Sequence, residues 1–357
     1  MRSRWADQNC PKVSEPHITL ATDELLYGIF KNHTVFGMPL ELKHFRQFIA
    51  VAEEGHITRA AEGLGMQQPH LSNRIKTIER ELGAQLFRRK ARGVELTDAG
   101  RVLLDHARAM MAHRDRTLEA TRRAARGEQG RLCVGVTPTG PFHPLVPLSI
   151  RTFRAAFPLV SLTLEECLRT ELLERLRNEQ VDVAFLRAPL AETRDFVVRP
   201  LLVEPMVVAL PAEHALARSD GRAIALKDLT DEDFIVYARQ QGPAIYEATI
   251  AACQKAGFNP RVGQEAPRIT SALSLVAAGL GVSVVPASMQ TMTMHGVIYR
   301  PIKDISKPRA VLNLASRRGD SSAIVRNFLS LVGRAARGIR VSEEKASRRL
   351  PSGHMSG

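Results

Sequence analysis

The sequence predicts an α+β chain of several domains, with helices and a short strand hairpin in the N-terminal third and a longer α/β part behind them. Three observations carry this. The 357 residues suffice for two or three domains, each with its own core. Apolar residues recur at helical spacing from Leu40 to about Arg126, whereas beyond "GEQG" (127–130) short apolar runs alternate with helical segments. Charge divides in the same place: the formal net charge of +13 is made up of 0 over residues 1–37, +6 over 38–127, +1 over 128–316 and +6 over 317–357.

Residues 1–37 show little helical period and read as a flexible extension or a misassigned start, with no function. In 38–96, Leu42, Phe45, Phe48, Ile49 and Ala52 mark a first helix that Gly55 closes. Thr58 caps a short second helix that stops at Gly65. A third runs from about Gln68 to Leu82, with Pro69 tolerated in its first turn and Leu71, Ile75, Ile78 and Leu82 as one apolar stripe. "RRKARG" then reads as a charged turn between two short strands, the pattern of a wing. Thr97 and Asp98 cap a helix over 97–127 that is too long for a small domain and suits a dimerising connector.

After the "GEQG" linker, candidate strands are "RLCVGVT", "SLTLEE", "VDVAFLR", "MVVALP", "FIVYAR", "GVSVVPA" and "AVLNLAS". Helical segments lie between them at 144–157, 171–179, 245–256 and 271–278. Such alternation implies βαβ units with buried parallel strands. The segments 196–204 and 298–303 read as crossings between two lobes, lobe I being about 131–200 with 303–335 and lobe II about 201–302. Residues 336–357 read as a helix end and a basic tail.

Several functions are excluded. Cys10, Cys133, Cys167 and Cys253 lie far apart without histidines at ligand spacing, which argues against a metal site or a disulfide framework and fits a reducing cytoplasm. No run reaches the roughly 18 apolar residues of a membrane span, and the N-terminus lacks a signal-peptide pattern. No phosphate-binding loop, H-E-x-x-H or G-x-S-x-G occurs, so no catalysis and no cofactor are expected. "GLGVSV" follows a helix and lacks the spacing of a dinucleotide fingerprint, so Gly279 and Gly281 turn a helix into a strand.

The third helix carries polar residues on the faces its apolar stripe leaves free. In a helix-turn-helix the second helix of the pair lies in the major groove and offers its N-terminal residues to base edges. Gln67, Gln68, His70, Ser72, Asn73, Arg74 and Lys76 meet that requirement: Gln and Asn bond adenine, Arg reads guanine, and Ser or Lys hold phosphates.

The blocks "TRAAE", "QPHLS", "ELGAQLF" and "LTDAG", in that order and spacing, resemble the N-terminal signature of LysR-type transcriptional regulators. The resemblance covers the chain to about residue 335. It implies a winged helix-turn-helix, a linker helix that pairs two chains, and a two-lobed effector domain similar to periplasmic solute-binding proteins. It places Gln68, Pro69 and Ser72 in the groove and Arg88, Arg89 and Arg92 on the wing; Thr58 is a further expected DNA contact. Two positions depart from the signature, Gln67 and Asn73, and Arg74 stands about 100° around the helix from the usual arginine.

In two-lobed α/β modules a ligand sits at the carboxyl ends of strands, facing helix N-termini. "GVTPTGPF" is one such junction, where Thr137 and Thr139 either bind an anion or cap a helix. Thr170 starts the helix after a second. Arg187 is a cleft cation or, the favoured reading, a strand-end salt-bridge partner. The second lobe offers Gln241 and Pro243 in "ARQQGPAIY". With the resemblance, these residues imply a small organic or aromatic acid as effector. The further expected partners are operator DNA, a second copy or a tetramer, and RNA polymerase, with no membrane.

Overall fold

The computed structural model describes residues 40–187, 195–218, 222–303 and 307–349, without the side chains of 343–349. The reading of residues 1–37 lies outside them. The chain forms two compact units that divide after Leu118.

In the first unit, α1 (Leu42–Glu54), α2 (Ile57–Gly63) and α3 (Gln68–Leu82) are followed by β1 (Phe87–Lys90), β2 (Gly93–Leu96) and the long α4 (Asp98–Ala125). Gly55 closes α1 at φ 61°, its N–H bonded to the Val51 carbonyl, and Gly83 closes α3 at φ 63°. Both are left-handed caps, a conformation glycine reaches without penalty. Leu71, Ile75 and Ile78 of α3 are buried against Phe48, Val51, Ala60, Ala61, Leu86 and Ala107. Two expectations are corrected. Leu82 is 43% exposed, because the stripe drifts off the core at the last turn. Thr58 does not cap α2: His56 is the N-cap and Thr58 lies exposed in the first turn. Thr97 does act at the head of α4, its hydroxyl accepting the Gly100 N–H at 3.0 Å.

The second unit holds β3 (Gln129–Val136), α5 (Leu145–Ala156), β4 (Leu159–Glu166), α6 (Arg169–Arg177), β5 (Val183–Leu186) and β6 (Phe196–Pro211). After these come β7 (Asp233–Tyr237), α7 (Pro243–Lys255), β8 (Arg261–Ala266), α8 (Ile269–Ala277), β9 (Ser283–Pro286), β10 (Val297–Pro301), β11 (Arg309–Arg317) and α9 (Ala323–Arg349). The main sheet runs β10-β6-β11-β5-β3-β4 with β9 also on β6, and β7 pairs β8 separately.

The sheet is mixed rather than purely parallel. β3 is parallel to β4 and β5, but β11 is antiparallel to β5 and β6, and β6 is antiparallel to β9 and β10. The antiparallel pairs arise because β6 and β11 run from one lobe into the other; the return crossing is therefore β11 and not 298–303, whose Ile298 and Ile302 pack in the second-lobe core. Leu202 and Leu312 belong to one core, with Phe153, Phe185 and Phe328; Met206 and Ala310 belong to the other, with Phe234, Leu273 and Val285. The linker reading of 127–130 is shortened, since Gln129 and Gly130 already pair with β4. At the far end α9 continues unbroken past residue 335 to Arg349.

Candidate functional sites

The polar face of α3 is open. Gln67, Gln68, Pro69, His70, Asn73 and Lys76 are exposed, and Ser72 and Arg74 are half-buried at its margin. α3 begins at Gln68 with Pro69 second, where the missing N–H of proline costs nothing, and the His70 and Leu71 N–H groups already close on the Gln67 carbonyl at 3.1 and 3.3 Å.

The hairpin β1–β2 turns at Ala91 and Arg92, with Lys90 opposite Gly93. Glu95 accepts from Arg88 at 3.0 Å and lies 2.5 Å from Lys90. Those hydrogen bonds, Lys90 first and Arg88 second, pull the Glu95 carboxyl down to about 2. Two wing cations are thus held in place by one carboxylate, while Arg89 and Arg92 stand exposed without an ion pair among the described residues. The hairpin is seated on α1: the Val94 N–H donates to the Gly55 carbonyl at 2.9 Å. At Gly93, φ is +133° and a Cβ would lie 2.2 Å from that same carbonyl oxygen, so only glycine fits.

In the second unit, α5, α6, α7 and α8 each follow the carboxyl end of a strand. Thr137 directly follows β3, its N–H bonded to the Phe185 carbonyl at 3.1 Å; its side-chain oxygen is buried with no partner among the described residues. Thr139 is buried and accepts from Arg187 Nε at 3.3 Å. Thr170 is exposed in the first turn of α6. Gln241 buries Oε1 without a partner, and Pro243 opens α7. Between them, Gly242 leaves the space a Cβ would need to the Tyr237 ring, 2.1 Å away.

Arg187 is the salt-bridge partner of the favoured reading. Its Nη2 donates to Glu204 of β6, and Glu204 also accepts the Ser288 N–H at 2.7 Å and hydroxyl at 3.1 Å. Burial pushes the guanidinium pKa down, and Glu204 opposes that shift. His143 is buried beside the pair, its Nδ1 accepting the Leu145 N–H at 3.2 Å. Burial holds this imidazole below its ordinary pKa, with Glu204 opposing and Arg187 adding to the effect. Burial raises the Tyr237 hydroxyl to about 12, with Glu166 at the end of β4 and Arg268 at the head of α8 as its charged neighbours. Glu204, Ser288 and His143 escaped the sequence reading, although Glu204 stands out as a lone carboxylate in the apolar run "LLVEPMVVAL".

A helix-turn-helix with a wing, followed by a two-lobed α/β unit, defines a ligand-controlled DNA-binding regulator. Two family models match: the bacterial regulatory helix-turn-helix protein, lysR family, over residues 42–101, and the LysR substrate binding domain over residues 125–337. The chain is 36% identical to the HTH-type transcriptional regulator BudR of Raoultella terrigena, over 82% of this chain and 100% of that one. It is 35% identical to the HTH-type transcriptional regulator AlsR of Bacillus subtilis strain 168, over 82% and 95%. Among solved structures, full-length CbnR complexed with its target DNA matches with a TM-score of 0.72 and 28% identity, covering 83% of this chain and 100% of that one. Full-length BenM matches with a TM-score of 0.52 and 29% identity over 85% and 98%. The chain belongs to the LysR family of transcriptional regulators. It is a DNA-binding transcriptional regulator with an effector-binding domain. No helix among the described residues is long and apolar enough to cross a membrane.

Proposed function

We propose that the regulator reads its operator with α3 and the wing, and that a small organic or aromatic acid held between the two lobes controls it in the cytoplasm, without catalysis. Gln68, Pro69 and Ser72 face base edges, with Gln67, His70, Asn73, Arg74 and Lys76 around them. Arg89 and Arg92 hold phosphates from the wing, joined by Thr58 and by Arg88. The observation that carries the DNA half is the open polar face of α3 opposite the buried Leu71, Ile75 and Ile78.

Two chains pair through α4. Of its 28 residues only Gly100 and Ala107 are buried, and the exposed Met110 and Leu118 line one apolar groove with Ala109 and His113. A second α4 covers that groove and sets two α3 helices in successive major grooves, one half-site each. Further pairing to a tetramer and contact with RNA polymerase complete the assembly. The effector shifts it by binding one closure of the lobes better than the other.

The effector half rests on buried polar atoms that lack partners. An unsatisfied buried polar atom costs about 1–3 kcal/mol, and Thr137 Oγ1, Arg187 Nη1 and Gln241 Oε1 are three atoms without a partner among the described residues. A carboxylate accepts from the first two; Thr139, Thr170 and Pro243 complete the walls. A thermal-shift screen of small carboxylates tests this. At least one raises the melting temperature of the wild type, since ligand at about 100 times Kd adds about 2.7 kcal/mol. Thr137→Val with Thr170→Val removes that rise and keeps DNA binding. If no carboxylate raises it, or the double variant responds equally, the effector reading fails.

A further inference from the structure

Glu204 lies where the two lobes meet along the chain. It is on β6 between Leu202 of one core and Met206 of the other, and pairs across the sheet with Ala310 of the second crossing strand. Its side chain is 11% exposed and that of Arg187 3%. Three groups converge on its two oxygens: Arg187 Nη2 from the end of β5, and the N–H and hydroxyl of Ser288 from the turn after β9. Arg187 reaches onward through Nε to Thr139 in the loop after β3, and its Nη1 is buried and unpartnered. One carboxylate therefore joins a threonine of lobe I to a serine of lobe II through a single guanidinium.

We infer that Glu204 is the positioning residue of the effector site, holding Arg187 so that Nη1 meets the effector carboxylate and transmitting occupancy there to lobe II through Ser288. The inference rests on the effector reading above for what meets Nη1, but the link from Thr139 to Ser288 stands apart from it. Buried charge pairs tolerate little change in geometry, because each partner lost leaves the other in a low dielectric. A carboxylate arriving at Nη1 competes with Glu204 for the guanidinium. Any shift of Arg187 toward the ligand loosens its hold on Glu204, and Glu204 then leans on Ser288. A purely structural ion pair has no reason to tie its acid to the opposite lobe as well.

The test is a double-mutant cycle on the full chain, read by urea unfolding. Thr139→Val and Ser288→Ala remove the two ends of the relay. With Glu204 present, the combined change in the unfolding equilibrium constant departs from the product of the single changes by at least about twofold. In the Glu204→Gln background the same two changes multiply without coupling. Equal coupling in both backgrounds, or none in the first, overturns the assignment.

A second measurement, calorimetric titration with benzoate as the probe, separates this from the effector reading. Glu204→Gln weakens benzoate binding at least about tenfold, Glu204→Asp restores most of it, and DNA affinity without benzoate stays within about twofold. Unchanged benzoate affinity in Glu204→Gln overturns the positioning role. If neither benzoate nor any carboxylate of the thermal-shift screen binds the wild type while the cycle shows coupling, the relay stands and the effector reading is what fails.

Discussion

The carboxylate of Glu79 in α3 accepts the backbone N–H of Leu86 at 2.8 Å and, with the same oxygen, that of Phe87 at 3.2 Å. The helix proposed to enter the groove is thereby tied to the first strand of the wing. Leu86 is buried, and Phe87 packs on Phe48 of α1 with ring centroids 5.3 Å apart. Helix and wing are held as one body, which suits a surface that must match DNA in two places.

Glu79→Ala leaves both N–H groups without their acceptor. Loss of about 1–3 kcal/mol in urea unfolding is expected, together with weaker DNA binding, although Glu79 itself touches no base in this account. Unchanged stability would show that the two amides find other partners.

Gly93→Ala forces a side chain against the Gly55 carbonyl at a φ that other residues rarely adopt. A loss of about 1–3 kcal/mol is expected. Gly257, at φ +96° with nothing within 4 Å of a Cβ, is the control: Gly257→Ala meets the backbone strain alone. The difference between the two variants in thermal melting measures the clash itself.

Arg89→Ala with Arg92→Ala removes two exposed cations from the wing. The slope of log affinity for operator DNA against log salt should fall by about 2, with little change in which sequence is preferred. Arg88→Ala removes a residue already engaged by Glu95, so its effect on the slope is expected to be smaller. An unchanged slope in the double variant places the wing away from the phosphates.

His143 gives a pH dependence whose sign follows from its burial. Its folded pKa lies below the ordinary 6.5, so the unfolded chain binds a proton that the native chain refuses. Its contribution to stability is full above about pH 6.5 and is lost as pH falls from there toward the folded value. His143→Asn keeps a side-chain acceptor for the Leu145 N–H and has no charge to gain. The difference in melting temperature between wild type and variant should shift against the wild type from pH 7.5 to 5.5. A constant difference contradicts the assigned shift.

Much of this was legible in the sequence where one physical signal dominates. The bounds of α3 follow from Pro69, the stripe Leu71, Ile75 and Ile78, and Gly83, because apolar period and caps act locally. The wing followed from "RRKARG" for the same reason. Long-range pairing was not legible. β8, with the sequence Arg261–Ala266, is exposed along most of its length and carries no apolar run, and only pairing with β7 makes it a strand. The antiparallel return of β11 depends on β6 crossing both lobes, which no local pattern encodes. At the candidate effector site, Thr137, Thr139 and Arg187 were found from strand ends. Glu204 and Ser288 were missed because their meeting spans 84 residues of chain.

Everything proposed for DNA binding depends on α3 entering the groove of the operator. The decisive measurement is a gel-shift titration of Gln68→Ala with Ser72→Ala on DNA from upstream of the gene, with unrelated DNA as competitor and thermal melting as a check on folding. Neither side chain is buried in the core, so the double variant should melt as the wild type does. Specific retention should be lost, with residual salt-sensitive binding equal on both DNAs. Specific retention unchanged in a folded double variant would contradict groove entry by α3.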